Sequence, residues 1–95
     1  MNIIRSTNKT PERFEALDEE NVAGFMAYHW EQPGIMIIDH TEVNAAYGGQ
    51  GVGKKLVMAA VTDAREKGYK IFPVCEFAKS VFDRKHEIQD VLSKK

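Results

Sequence analysis

The stretch Gly48-Gly49-Gln50-Gly51-Val52-Gly53-Lys54-Lys55 carries the clearest chemistry in this sequence. Four glycines fall within six residues, between a β-branched segment and an amphipathic one. Glycine admits backbone angles closed to other residues and removes every Cβ from the surface, so main-chain N–H groups can meet a bulky anion directly. A helix that follows such a loop aims its unpaired first-turn N–H groups and the positive end of its dipole at the same point. The chemistry implied is phosphate or pyrophosphate binding; the simpler alternative is a flexible turn. Gly48, Gly53 and Lys54 also fit the nucleotide-binding pattern G-x-x-x-x-G-K-[ST], but position 55 is Lys where a hydroxyl should hold Mg²⁺. That argues against a nucleoside triphosphatase, and the dinucleotide pattern G-x-G-x-x-G has no full match.

Cys75 is the second candidate. It stands at the junction of an expected strand and an expected helix, and a helix N-terminus raises the thiolate fraction of a cysteine. The alternative role is that of a small buried apolar group. As the single cysteine it excludes an internal disulfide, and it fits a reducing compartment. His29, His40 and His86 are scattered, with no H-E-x-x-H and no paired cysteines, so no metal site is expected.

The elements that must position these groups follow from periodicity. Asn2 to Ser6 and Arg13 to Leu17 suit short strands, with Thr7 to Pro11 a turn between them. Val22 to Trp30 alternates with both faces largely apolar, which predicts a strand inside the sheet, Val22, Gly24, Met26, Tyr28 and Trp30 sharing one face. Glu31 to Gly34 reads as a turn, and Ile35 to Val43 as a further, β-branched strand. Val52, Leu56, Val57, Ala60, Val61 and Ala64 then recur at helical spacing, with Gly68 as the stop. Lys70 to Cys75 reads as a fifth strand. Phe77, Ala78, Val81 and Phe82 predict a short second helix, and Ile88, Val91 and Leu92 a last helical turn. Strands joined by short turns, then helix, strand, helix, make an α+β domain with a helix crossing between two strands. Trp30 and Tyr28 could line a substrate site but are expected to pack beside the sheet. Lys79, Arg84 and Lys85 suit a solvated helix face or a contact for a ligand's 3′-phosphate, and the solvated face is the expectation.

Ninety-five residues make a single domain, 1–95. A net charge of −1 gives no broad field for nucleic acid or an anionic membrane, so neither is expected as a partner. Apolar runs such as Ile35 to Ile38 are far short of a bilayer span. Met1-Asn2-Ile3-Ile4-Arg5 lacks the apolar core of a signal peptide. A cytoplasmic protein, monomer or weak dimer, is the expectation.

The segment Val43 to Leu56 resembles the acyl-CoA loop of the GNAT acetyltransferases, [RQ]-x-x-G-x-[GA]. Gly51 and Gly53 occupy the two small positions. Gly48 stands where Arg or Gln is usual, which removes a side-chain contribution and leaves the backbone cradle. Asp39-His40-Thr41-Glu42-Val43 and Cys75-Glu76-Phe77-Ala78-Lys79 resemble segments of the small, stand-alone GNAT-like proteins, and the likeness runs from about Val22 to Leu92.

The resemblance implies a minimal GNAT-type fold: a mixed five-stranded sheet, one main helix and short C-terminal helices. It implies acetyl-CoA as cofactor, its pantetheine in a wedge between Ile35–Val43 and Lys70–Cys75. Val43 would offer a backbone contact. Gly48, Gly49, Gln50, Gly51, Val52 and Gly53 would hold the diphosphate, Lys54 adding charge. It implies N-acetyl transfer to an unidentified amine, small molecule or protein, with His40 or Glu42 as base and Cys75 near the acetyl group as a relay nucleophile. A module that carries or senses acyl-CoA without turnover is the alternative.

Overall fold

The computed structural model describes residues 1–31 and 33–93. The strands are β1 (Asn2–Ser6), β2 (Arg13–Asp18), β3 (Asn21–Glu31), β4 (Ile35–Val43) and β5 (Lys70–Pro73). They form one sheet in the order β1-β2-β3-β4-β5. The first four are antiparallel, and β5 runs parallel to β4. A parallel partner needs a crossover, and helix α1 (Val52–Lys67) supplies it. Helix α2 (Glu76–Arg84) and a 3₁₀ turn (His86–Val91) follow. The α+β fold with a mixed five-stranded sheet is the one the sequence implies. Of the expected Glu31–Gly34 turn, Gln32 lies outside the described residues.

The core lies between one face of the sheet and α1. Leu56, Val57, Ala60 and Val61 are fully buried there, against Met26, Met36, Ile38 and Ile71. Burial of each such Leu, Ile, Val or Met side chain contributes about 1.5–3 kcal/mol. Gly68 ends α1 in the left-handed region at φ 77°, with its N–H and that of Tyr69 both donating to the Ala64 carbonyl. Arg65 ties the far end of α1 to the C-terminal segment, donating to both carboxylate oxygens of Asp90 and to the Glu87 carbonyl. Ser93 donates its N–H to Ile71, so the C-terminal segment covers the outer edge of β5.

Three details depart from simple alternation. A bulge inserts Ala23 opposite β2, so Ala23 is buried and Val22 exposed, while the shared face holds from Gly24 to Tyr28. Trp30, on the same face, packs edge-on against Tyr28 and Tyr69. A second bulge inserts Asp39 into β4: Ala27 pairs with His40 and Tyr28 with Ile38. An extra residue reverses which side chains face the core. Beyond it Thr41 and Val43, in place of His40 and Glu42, share the helix side with Met36 and Ile38. Finally, β5 stops at Pro73 instead of running to Cys75. Val74 and Cys75 both turn their N–H groups onto the single carbonyl of Ile38, each at 3.0 Å, and the chain leaves the sheet.

Candidate functional site

That shared carbonyl is where the two parallel strands part. Pairing of β4 with β5 covers Ile35 to Ile38 only, so β4 from Asp39 to Val43 keeps a free edge on that side. Below this edge opens a cleft of about 590 Å³, in the range of small-molecule sites. Val43, Tyr47, the glycine loop, Lys54 and one side of α2 line it.

The loop leaves main-chain N–H groups uncovered, as an anion would need. Gly49 and Gly51 have φ of 81° and 71°, angles that L side chains rarely adopt, and a Cβ at either would point into open space. Gly51 is the N-cap of α1 and has no side chain to bond the first-turn amides; that turn also carries no acidic residue. The N–H groups of Val52, Gly53 and Lys54 therefore open the helix without intrahelical partners. Gly53 serves close approach: a Cβ there would lie 2.6 Å from two carbons of the Phe77 ring, which leans on the loop. The loop is held from behind by Tyr47, whose hydroxyl donates to Asp18 at 2.8 Å, and by Asn44, whose N–H donates to the Ala23 carbonyl. The cleft thus offers two kinds of unpaired backbone group, the uncapped amides of the α1 start and the free edge of β4.

The residues singled out in the sequence divide between this cleft and its surroundings. Val43, Gly48, Gly49, Gly51, Val52, Gly53 and Lys54 line it; Gln50 does not. Cys75 is the N-cap of α2, half-buried, its Sγ 3.4 Å from the Thr41 hydroxyl. Burial alone would push its thiol up. The Thr41 hydroxyl and the amides of Ala78, Phe77 and Thr41 outweigh this and hold it below the ordinary thiol value. His40 and Glu42 stand on the other face of the sheet, exposed, 4.0 Å apart, with the His40 ring beside Phe25. The Asp39 bulge separates them from Cys75.

Sequence reasoning missed the roles of Thr41 and Tyr47 and, on the cleft side of α2, those of Phe77 and Val81. Phe77, Val81, Arg84 and Lys85 all line the cleft; Arg84 is exposed there, as expected of a solvated face, Lys85 is half-buried, and Lys79 is exposed away from the cleft. The spacing of these four, at i, i+4, i+7 and i+8, carried the signal. Among the described residues no group of three metal-ligating side chains gathers, and no helix is long and apolar enough to cross a membrane.

Comparison with known proteins bears on the same elements. No curated protein matches the sequence. In structure, the chain is similar to a GCN5-like protein from Staphylococcus aureus assigned to N-acetyl transfer, at 38% identity and TM-score 0.76, over 97% of this chain and 87% of that one. The fold is also that of an IAA acetyltransferase from Bacillus cereus (22% identity, TM-score 0.61, 77% of this chain and 52% of that one). A ribosomal-protein-alanine N-acetyltransferase from Brucella melitensis shares it too (18%, 0.63, 88% and 62%). The chain thus spans somewhat over half the length of these two larger enzymes. The model of the GCN5-related N-acetyltransferases matches residues 13–91, from β2 through the last 3₁₀ turn, and with it the chain belongs to that family.

Proposed function

We propose that this protein is an acetyl-CoA-dependent N-acetyltransferase acting on an amine of a small molecule or a protein. The observation that carries the reading is the joining, in one cleft, of an uncapped helix start behind a glycine loop and a strand edge freed where β4 and β5 part.

Each part has a task. The amides of the loop and of the first turn of α1 neutralise a diphosphate, and Lys54 adds charge at the rim. The free edge of β4 at Val43 bonds the amides of the pantetheine arm, much as a peptide adds to a sheet. Bound acetyl-CoA supplies the acetyl group as a thioester, open to attack by an unprotonated amine. Cys75, its thiolate steadied by Thr41, is the nucleophile nearest the parting of the strands: as a relay it would take the acetyl group as coenzyme A thiolate leaves, and the amine would then take the acetyl group from it and release the Cys75 thiolate. His40 or Glu42 can take the proton only of an amine that approaches from the outer face of the sheet, where both stand.

A carrier or sensor of acyl-CoA is the second reading. The observation in its favour is that neither His40 nor Glu42 shares a face with Cys75. Titration calorimetry with acetyl-CoA tests the common premise, and an undetectable heat at high protein concentration sinks both readings. Mass spectrometry after incubation with acetyl-CoA and a panel of amines separates them. Acetylated amine above the protein-free control supports the enzyme; its absence across the panel, with binding intact, supports the carrier.

A further inference from the structure

We propose that Arg84 and Lys85 form a second anion subsite, one that recognises the phosphate monoester on the ribose of coenzyme A and so distinguishes it from its dephospho form. The proposal deepens the coenzyme A reading and rests on it.

The side of α2 that faces the cleft changes character along its length. Phe77 and Val81 are apolar; Arg84 and Lys85, at the end of the helix, are cationic. The Phe77 ring leans on Gly53, so the beginning of this side is level with the start of α1. From Phe77 to Arg84 the helix backbone climbs seven residues, about 10 Å at the usual rise, and the Arg84 guanidinium reaches part of the way back, to Ser80. An anion in contact with the first-turn amides of α1 sits within about 3 Å of them. The two cations thus mark a separate place farther along the same cleft. Coenzyme A has two anionic centres in that order: the diphosphate next to the pantetheine arm, then the monoester beyond it on the ribose.

The electrostatics agree. Arg5, Lys9, Arg65 and Lys67 are all matched to carboxylates. Among the described residues no carboxylate lies within ion-pair distance of Arg84 or Lys85. Arg84 is nevertheless held: Nε donates to the Ser80 carbonyl at 3.3 Å and Nη2 to the Ser80 hydroxyl at 3.2 Å. Those two bonds fix the plane of the guanidinium and leave three of its five N–H groups for a ligand. A planar fork of this kind matches phosphate oxygens, and the lysine adds a second charge. The C-terminal end of a helix favours cations, which keeps the pair in place without a counter-ion.

Calorimetry on the intact protein with coenzyme A and with 3′-dephospho-coenzyme A provides the test, for wild type, Arg84→Gln, Lys85→Gln and the double variant. Circular dichroism melting checks that each is folded. Wild type is expected to prefer coenzyme A by about tenfold or more, the worth of charge-assisted bonds to a phosphate. Each single variant should lose part of that preference, and the double variant nearly all of it, while affinity for the dephospho form stays within about twofold. Equal affinity of wild type for the two ligands would overturn the proposal. So would a double variant that loses both ligands equally, because the two side chains would then serve the diphosphate. If neither ligand binds wild type, the coenzyme A reading itself fails, and this proposal with it.

Discussion

The Sγ of Cys75 and the Oγ1 of Thr41 lie 3.4 Å apart, across the point where β4 and β5 separate. The contact exists because the Asp39 bulge turns Thr41 toward the helices and because β5 ends early enough for Cys75 to cap α2. A thiolate at Cys75 gains the Thr41 hydroxyl and amides of the first turn of α2 as donors. Its alkylation by iodoacetamide should therefore show a midpoint below that of an ordinary exposed thiol. Thr41→Val should move the midpoint upward and leave the fold intact. An unchanged midpoint would remove Thr41 from any role in activating the thiol.

The second prediction concerns Gly53 and Phe77. Gly53→Ala drives a methyl group into the Phe77 ring and displaces it across the cleft. Coenzyme A affinity should fall at least about tenfold, the order of a lost 1.4 kcal/mol. A smaller residue at 77 should relieve the collision, so Gly53→Ala with Phe77→Leu should recover part of the loss. If the double variant is as weak as the single one, the methyl group acts on the bound diphosphate directly and not through the ring.

Much of this was legible in the sequence. The apolar stripe from Val52 to Ala64 and the stop at Gly68 marked α1. The apolar character of both faces of Val22–Trp30 marked the central place of β3. The loop was visible because glycine is used where no other residue fits the angles. The two bulges were not visible, since an inserted residue changes register through its partner strand and leaves no mark in its own. Hence His40 and Glu42 were correctly read as sharing a face, but which face depended on Asp39. For Arg84 and Lys85 the sequence left two readings, a solvated face or a phosphate contact, because cations at a helix end are usually solvated; their place on the cleft wall comes from how α2 sits against the glycine loop.

A third prediction concerns Tyr47 and Asp18. Their hydrogen bond fastens the loop to the turn between β2 and β3. Tyr47→Phe keeps the ring and removes the tether. The melting temperature should barely change, while coenzyme A binding weakens by about three- to tenfold, as the loop must be ordered on binding. Unchanged affinity would mean that the loop is held by its own backbone.

Asp63 supplies a fourth. Burial alone would raise its carboxyl, but the Tyr69 hydroxyl, Lys67 and Arg5 together hold it below the ordinary value of 3.8. A depressed folded-state value contributes stability that is complete above the ordinary carboxylate value and lost as pH falls through the folded one. Wild type should therefore lose part of its denaturant resistance on acidification below about pH 4. Asp63→Asn should be less stable at neutral pH by about 1–3 kcal/mol. The gap should narrow in acid. A gap independent of pH would assign the effect to packing.

Val52 belongs to the core and Gly53 is buried beside it, and both are walls of the cleft. Whatever grips the start of α1 therefore grips the beam on which the whole small domain is assembled. Occupancy and heat resistance should rise together: at a ligand concentration of 100 Kd, about 2.7 kcal/mol is added to the unfolding free energy. For a chain of this size that is an upward step of ten degrees or more in melting temperature, so a simple thermal scan can rank acyl donors before any acceptor is known.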